Sequence, residues 1–196
     1  MPLADFLAER IFKPLAMVDT SFYVSPEKTE RLAQLYESTT PGRPVVVPDT
    51  GLIGDITVPT SCPSGGAGLV STLEDVYAFV NCLLNNGRYA NNHLLSPKTV
   101  ALMTSNHIPR EIMPLRLSPH LHNFGFGFGF GLWESLSEAT SLTTASSYFF
   151  GGAAQTHYWI DPPEQFIGLM MSQHFSPERD RLTEIFQNLA YQAIVD

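Results

Sequence analysis

The sequence is short of charge, of cysteine and of long apolar runs, and each shortage narrows what the chain does. Charged residues make up 15% of the 196 positions, against roughly 25% in soluble domains generally. Lys and Arg number 11 and Asp and Glu 19, a formal net charge of −8. No basic stripe is left to neutralise phosphates, which excludes nucleic acid as a partner. No apolar run approaches the ~20 residues needed to cross a bilayer, so no membrane partner is expected. Asp5, Glu9 and Arg10 interrupt the first apolar stretch, which removes a secretory leader and implies a cytoplasmic chain as written. The two cysteines, Cys62 and Cys82, are too few for a disulfide framework and lack metal-ligand spacing. Both are expected to be reduced and structural, and no cofactor or metal is implied.

What is present suffices for one domain, because 44% of the residues are hydrophobic. Met1 to Leu15 carries Leu3, Phe6, Leu7 and Ile11 at three- and four-residue spacing, which predicts an amphipathic helix ended by Pro14. Pro26 to Tyr36 reads as a second helix capped by Ser25. Residues 38–66 are rich in Pro and Gly and read as a long loop. Residues 71–105 read as helical. Ser71 and Glu74 have capping-box spacing, and Leu73, Val76, Tyr77, Val80, Leu83 and Leu84 form the stripe expected to be buried. Gly87 is placed as the C-cap, and Ser96-Pro97 opens a shorter helix ending near Thr104.

After residue 123 the period changes from 3.6 to 2. Phe124, Phe126, Phe128 and Phe130 alternate with Gly125, Gly127, Gly129 and Gly131. The alternation predicts a strand with bare backbone on one face, where another element packs closely. No helix follows the glycines, so a dinucleotide site is not indicated. Gln155–Ile160 and Phe166–Gln173 read as a hairpin turned by Asp161-Pro162-Pro163-Glu164. Antiparallel strands over 124–173 and a closing helix over 177–194, opened by Ser176-Pro177, make the chain α+β. Leu182, Ile185, Phe186, Leu189, Ala193 and Ile194 supply that helix with its apolar stripe.

Four ordered segments resemble one family. They are Ile11-Phe12-Lys13-Pro14-Leu15-Ala16-Met17-Val18-Asp19-Thr20, Pro63 to Thr72 (P-S-G-G-A-G-L-V-S-T), Leu94-Leu95-Ser96-Pro97 with Met103-Thr104, and Phe149-Phe150-Gly151-Gly152-Ala153-Ala154-Gln155-Thr156 followed by Asp161-Pro162. Together they resemble the class C β-lactamase-like serine hydrolases, a family of esterases, D-aminopeptidases and transesterases. The resemblance implies an antiparallel sheet flanked by helices, here incomplete, with the N-terminal strands and the nucleophile helix missing. It also implies acyl transfer by the serine of an S-x-x-K motif, with its lysine and a tyrosine handling the proton.

Of the family's active-site elements only the third is evident. Phe150-Gly151-Gly152 stands where K-T-G or W-G-G would be, and the resemblance makes the Ala153 N–H one half of the oxyanion hole. Phe150 supplies no cation, so an ester or amide fits better than a β-lactam carboxylate. Ser25-Pro26-Glu27-Lys28 is formally S-x-x-K, and Tyr89-Ala90-Asn91 is formally Y-x-N. Glu27, Lys28, Glu30 and Arg31 make the first a solvated helix start, whereas a catalytic serine needs an apolar setting that lowers its lysine's pKa. Gly87 and Asn92 make the second a turn. Both are read as structural, and both lie downstream of the family's true motifs. Three other candidates are weighed. His120-Leu121-His122 lacks a visible third metal ligand. His157 reads as a partly buried structural histidine. Ser64 precedes Gly65-Gly66 in a tight turn without the G-x-S-x-G elbow. The chain is thus expected to be the oxyanion-strand part of a serine acyl hydrolase, acting on a small-molecule ester or amide if completed by an upstream half. The alternative is a non-catalytic product that binds a partner or forms a homodimer.

Overall fold

The fold is that of a computed structural model, which describes residues 1–38, 43–47, 54–113, 115–116, 122–133, 136, 139–175 and 181–195. Its centre is a six-stranded antiparallel sheet in simple meander order. The strands are β5 (Leu115–Arg116), β6 (His122–Phe126), β7 (Gly131–Leu132), β8 (Tyr148–Gly151), β9 (Thr156–Asp161) and β10 (Phe166–Met171). A mixed three-stranded sheet sets β1 (Tyr36–Ser38) between β2 (Pro44–Val46), antiparallel, and β11 (His174–Phe175), parallel. A short ribbon joins β3 (Arg88–Tyr89) to β4 (Asn92–His93). The chain is therefore α+β, as its pattern predicts. Among the described residues no helix is long and apolar enough to cross a membrane.

Side-chain alternation on β9 sorts the two faces of the sheet. Ile160 and Tyr158 face α2 (Leu73–Leu84), where Val80 and Leu83 pack with Phe130, Leu132 and Tyr148 in the main core. Fully burying an aliphatic side chain of this kind stabilises by about 1.5–3 kcal/mol. Trp159 and Asp161 face the other way, toward α4 (Leu182–Gln192). The Trp159 ring meets Phe186 edge-on at 5.6 Å and Tyr191 at 6.2 Å. Asp161 is fully buried. Its carboxylate accepts the Tyr191 hydroxyl at 2.5 Å and the Glu164 N–H at 3.2 Å. Burial first, and the Asp161 carboxylate second, push the Tyr191 phenol well above its ordinary value. The Asp-Pro turn therefore anchors the last helix as well as turning the hairpin.

The far side of α2 carries a second core of Phe12, Leu15, Met17, Ala78 and Cys82. The first segment is α1 (Leu3–Leu7) running into a π-turn at Ala8–Phe12, and Phe6, expected inside, is 46% exposed. The wider π-turn moves Phe12 and Leu15 onto the buried side. The first two family-like segments interlock, with Thr20 Oγ1 2.7 Å from Ser71 Oγ, and Asp75 just beyond the second adds to the contact. Asp75, buried on α2, accepts from the Asp19 N–H and from the Thr20 hydroxyl, each at 2.8 Å. Ser21 and Val70 exchange backbone hydrogen bonds. Asp19 is held far below the usual carboxylate range, chiefly by Arg31 and then by Lys28.

Several boundaries differ from the pattern reading. Thr72, not Ser71, caps α2, accepting from the Asp75 N–H at 3.3 Å. Leu73 and Tyr77 face outward while Ala78 and Cys82 are buried, because α2 packs against a core on each of two sides. Asn85 is the C-cap residue, and Gly87 takes φ +86° beyond it. A Cβ on Gly87 would lie 2.2 Å from the Leu95 carbonyl oxygen. Ser96 does cap α3 (Pro97–Met103). Pro26–Arg31 is a 3₁₀ turn rather than a full helix, and Tyr36 already belongs to a strand. Pro44–Val46, placed in a loop, is a strand. Cys62, expected to be structural, is exposed, whereas Cys82 lies in the core.

The Phe/Gly run is not one strand. It crosses from β6 to β7 through a turn in which Gly127 N–H bonds to Phe130 O and Gly129 takes φ +92°. The close packing expected of its glycines is present at Gly125, Gly127 and Gly131, while Gly129 faces open space. A Cβ on Gly127 would fall 2.1 Å from the Met103 carbonyl oxygen, and one on Gly131 2.5 Å from the Phe149 ring. The α4 start assigned to Ser176-Pro177 lies outside the described residues. The α4 stripe is largely uncovered, with Ile185 at 53% and Leu189 at 60% exposure.

Candidate functional site

The end of β8 is where the sequence concentrates its chemistry. Phe149, Phe150 and Gly151 pair with Trp159, Tyr158 and His157 of β9. Phe150 shares the α2 face with Tyr158 and is 44% exposed, so an apolar ring borders open space at the strand's end. The Tyr158 phenol is pushed well above its ordinary value by burial, and a phenol so raised is no base at neutral pH.

Gly152 to Gln155 closes the β8–β9 hairpin. The Gln155 N–H bonds to Gly152 O at 3.1 Å, and the Gly152 N–H bonds to Thr156 O at 2.8 Å. Neither Ala153 nor Ala154 has a positive φ, whereas Gln155 has φ +60°. This is a type I turn followed by a left-handed residue. Ala153 occupies the second turn position and is exposed, and among the described residues its N–H meets no acceptor. The two glycines have local causes. A Cβ on Gly152 would lie 2.6 Å from Thr156 Oγ1, and one on Gly151 would lie 3.0 Å from His157 Nδ1. Gly151, Gly152 and Ala153 thus form a strand end and turn that present mostly backbone, with the exposed Phe150 ring beside them.

The other candidates sit elsewhere in the fold. Ser25 Oγ donates to Glu27 Oε1 at 2.6 Å, while Lys28 Nζ pairs with Asp19 at 2.6 Å and donates to Val18 O at 3.0 Å. The S-x-x-K lookalike therefore does not form a serine–lysine pair. Tyr89-Ala90-Asn91 is the β3–β4 turn, with Ala90 at φ +49°. It borders a shallow polar depression of about 560 Å³ that includes Asn81, Arg88 and Gln165. Ser64 Oγ accepts the Gly66 N–H at 3.2 Å in an exposed turn. His157 is half-buried between the rings of Phe149 and Trp159. His120 lies outside the described residues and His122 begins β6. Among the described residues no group of His, Cys, Asp or Glu is arranged to hold a metal ion.

Sequence reasoning missed one cluster beside the turn. His174 Nε2 lies 2.8 Å from Ser38 Oγ, and its Nδ1 lies 3.4 Å from Gln155 Nε2. The separation of 136 residues between Ser38 and His174 leaves no local signal that joins them.

The chain resembles known proteins in sequence and in fold. The Beta-lactamase family model matches residues 1–192. The uncharacterized protein MT1414 of Mycobacterium tuberculosis is 36% identical over 110 residues, which is 56% of this chain and 27% of that protein. Simvastatin synthase (LovD) from Aspergillus terreus has TM-score 0.81 at 23% identity, over 99% of this chain and 51% of the other. EstCE1, a hydrolase with promiscuous acyltransferase activity, has TM-score 0.79 at 23% identity, over 97% of this chain and 51% of the other. The likeness to these two structures is one of fold. The chain spans about half the length of those two solved structures and about a quarter of the mycobacterial protein.

Proposed function

The chain belongs to the β-lactamase family, and on that premise we propose that it forms the acyl-binding part of a serine acyl hydrolase. The nucleophilic serine, its lysine and the proton-handling tyrosine come from a segment outside these 196 residues. The observation that carries the reading is Ala153, exposed just past the end of β8 with an N–H that meets no acceptor among the described residues, in the segment whose resemblance to the family makes it the oxyanion donor. In acyl transfer the serine oxygen attacks the substrate carbonyl, and the carbonyl oxygen becomes an alkoxide. An N–H already oriented toward it stabilises that charge without reorganising, and one such donor is worth about 2.7–4 kcal/mol. Collapse of the intermediate expels the alcohol or amine and leaves an acyl-enzyme, which water then hydrolyses. Phe150 offers an apolar edge and no cation, which favours an ester or amide of apolar acyl chain over a substrate anchored by a carboxylate.

The uncovered α4 stripe supports the same division of labour. Leu182, Ile185 and Leu189 form an apolar face of α4 that a second segment of the fold would cover. The test is complementation. The chain, mixed or co-expressed with a family segment bearing the S-x-x-K and tyrosine motifs, is expected to hydrolyse p-nitrophenyl esters that neither part hydrolyses alone. Stable association without turnover would count against the catalytic reading. That same stripe favours a second reading, in which the chain is non-catalytic and self-associates through α4. A dimer in sedimentation that Leu189→Glu dissolves, together with failed complementation, would support it.

A further inference from the structure

We infer that His174 is a positioning residue for the oxyanion turn, acting through Gln155 on one side and Ser38 on the other. The inference rests on the reading of Ala153 as the oxyanion donor. Three segments distant in sequence meet at this imidazole. The backbone N–H of His174 donates to Ala154 O at 3.1 Å, inside the turn, a bond the ring does not take part in. Its Nδ1 faces the Gln155 amide nitrogen at 3.4 Å, and its Nε2 faces Ser38 Oγ at 2.8 Å. Ser172 Oγ adds bonds to Ala154 O and Gln155 O, each at 3.1 Å. The tautomer follows from these partners. An amide N–H facing Nδ1 makes that nitrogen the acceptor, so the proton sits on Nε2 and is donated to the serine oxygen.

Gln155 is what makes the arrangement informative. Its φ of +60° is a conformation that favours glycine, and the third position of this hairpin loop ordinarily carries one. Here the residue is 6% exposed and its side-chain amide is turned toward His174. A glycine would satisfy the backbone alone. A glutamine there ties the left-handed residue, and with it the direction of the Ala153 N–H, to β11 and through Ser38 to β1. The small mixed sheet thereby sets the aim of the oxyanion turn.

The test uses amide hydrogen exchange on the chain by itself. His174→Ala is expected to speed exchange at the Gly152 and Gln155 amides by roughly tenfold, the size of one net hydrogen bond, and to leave Val80 of α2 unchanged. His174→Gln, which keeps a donor and an acceptor, should restore most of the protection. Adding Gln155→Gly to His174→Ala should restore it as well, because glycine adopts the left-handed turn without help. Three results overturn the inference: turn amides unmoved by His174→Ala, equal acceleration at Val80, or no rescue by Gln155→Gly. If His174→Ala fails to fold, Ser38→Ala takes its place. It should speed the same two amides about threefold, and unchanged rates would overturn the inference. Exchange does not depend on turnover. A positive result here, combined with an Ala153 variant that leaves the assembled enzyme fully active, would sink the oxyanion reading and leave the positioning role standing.

Discussion

Replacing Ala153 by proline removes one hydrogen and almost nothing else. Ala153 is the second residue of a type I turn, where proline's fixed φ is the preferred one. The preceding Gly152, just past the end of β8, has no Cβ for the proline ring to clash with. Ala153 is exposed, so the ring has room, and among the described residues its N–H has no acceptor to lose. Stability should therefore stay within about 0.5 kcal/mol of the parent. Turnover by the complemented enzyme should fall by about 10²–10³, the cost of one oxyanion donor. Ala153→Gly, which keeps the N–H, is the control and should stay within a few-fold of the parent. The assay is kcat for a p-nitrophenyl ester, read beside the thermal midpoint of the same preparation. An Ala153→Pro enzyme that keeps its kcat within about threefold at an unchanged midpoint would refute the assignment of this donor.

Three further outcomes follow from the packing. Tyr191→Phe leaves the fully buried Asp161 carboxylate without its hydroxyl partner and should cost about 2 kcal/mol, a fall of about 4–8 °C in Tm by calorimetry; an unchanged midpoint would contradict the anchoring role. Gly168→Ala puts a Cβ 2.1 Å from the Trp159 ring and should destabilise by at least about 1–3 kcal/mol, while Gly65→Ala, facing open space, should be neutral in the same urea titration. Tyr148, Tyr158 and Tyr191 are all raised by burial, so the folded state holds their protons more tightly than the unfolded chain. Their contribution is complete below the unfolded tyrosine value of about 10 and is lost as pH rises above it; a urea midpoint flat from about pH 9 to 11 would contradict that burial.

Local chemistry was legible wherever it is local. Ser96-Pro97 caps α3, Asp161-Pro162 turns the last hairpin, and the Phe/Gly run packs its glycines against neighbouring backbone and rings. The recurring segments were legible as family marks, but their purpose was not. Asp19-Thr20 meets Asp75 across 55 residues, and only the fold shows that the two motifs hold each other. Periodicity overreached in two ways. It announced an apolar face on α4 without saying whether anything covers it, and it ran the Phe/Gly alternation through a turn, because glycine serves a strand and a left-handed bend equally well. On α2 the single expected stripe missed that the helix packs against two cores, which buries Ala78 and Cys82 and leaves Leu73 and Tyr77 exposed. The Ser38–His174–Gln155 cluster had no signature at all, since its members are unremarkable alone and meet only through the parallel pairing of β1 with β11.

The central claim is that this chain supplies an oxyanion turn and not the nucleophile. The direct measurement is fluorophosphonate labelling of the chain alone, with intact mass and peptide mapping, on protein whose Tyr191-dependent thermal transition shows it folded. The account predicts no specific adduct, and a stoichiometric adduct once the S-x-x-K segment is supplied, carried on that segment's serine. A stoichiometric adduct on any serine of this chain by itself, Ser25 included, would contradict it.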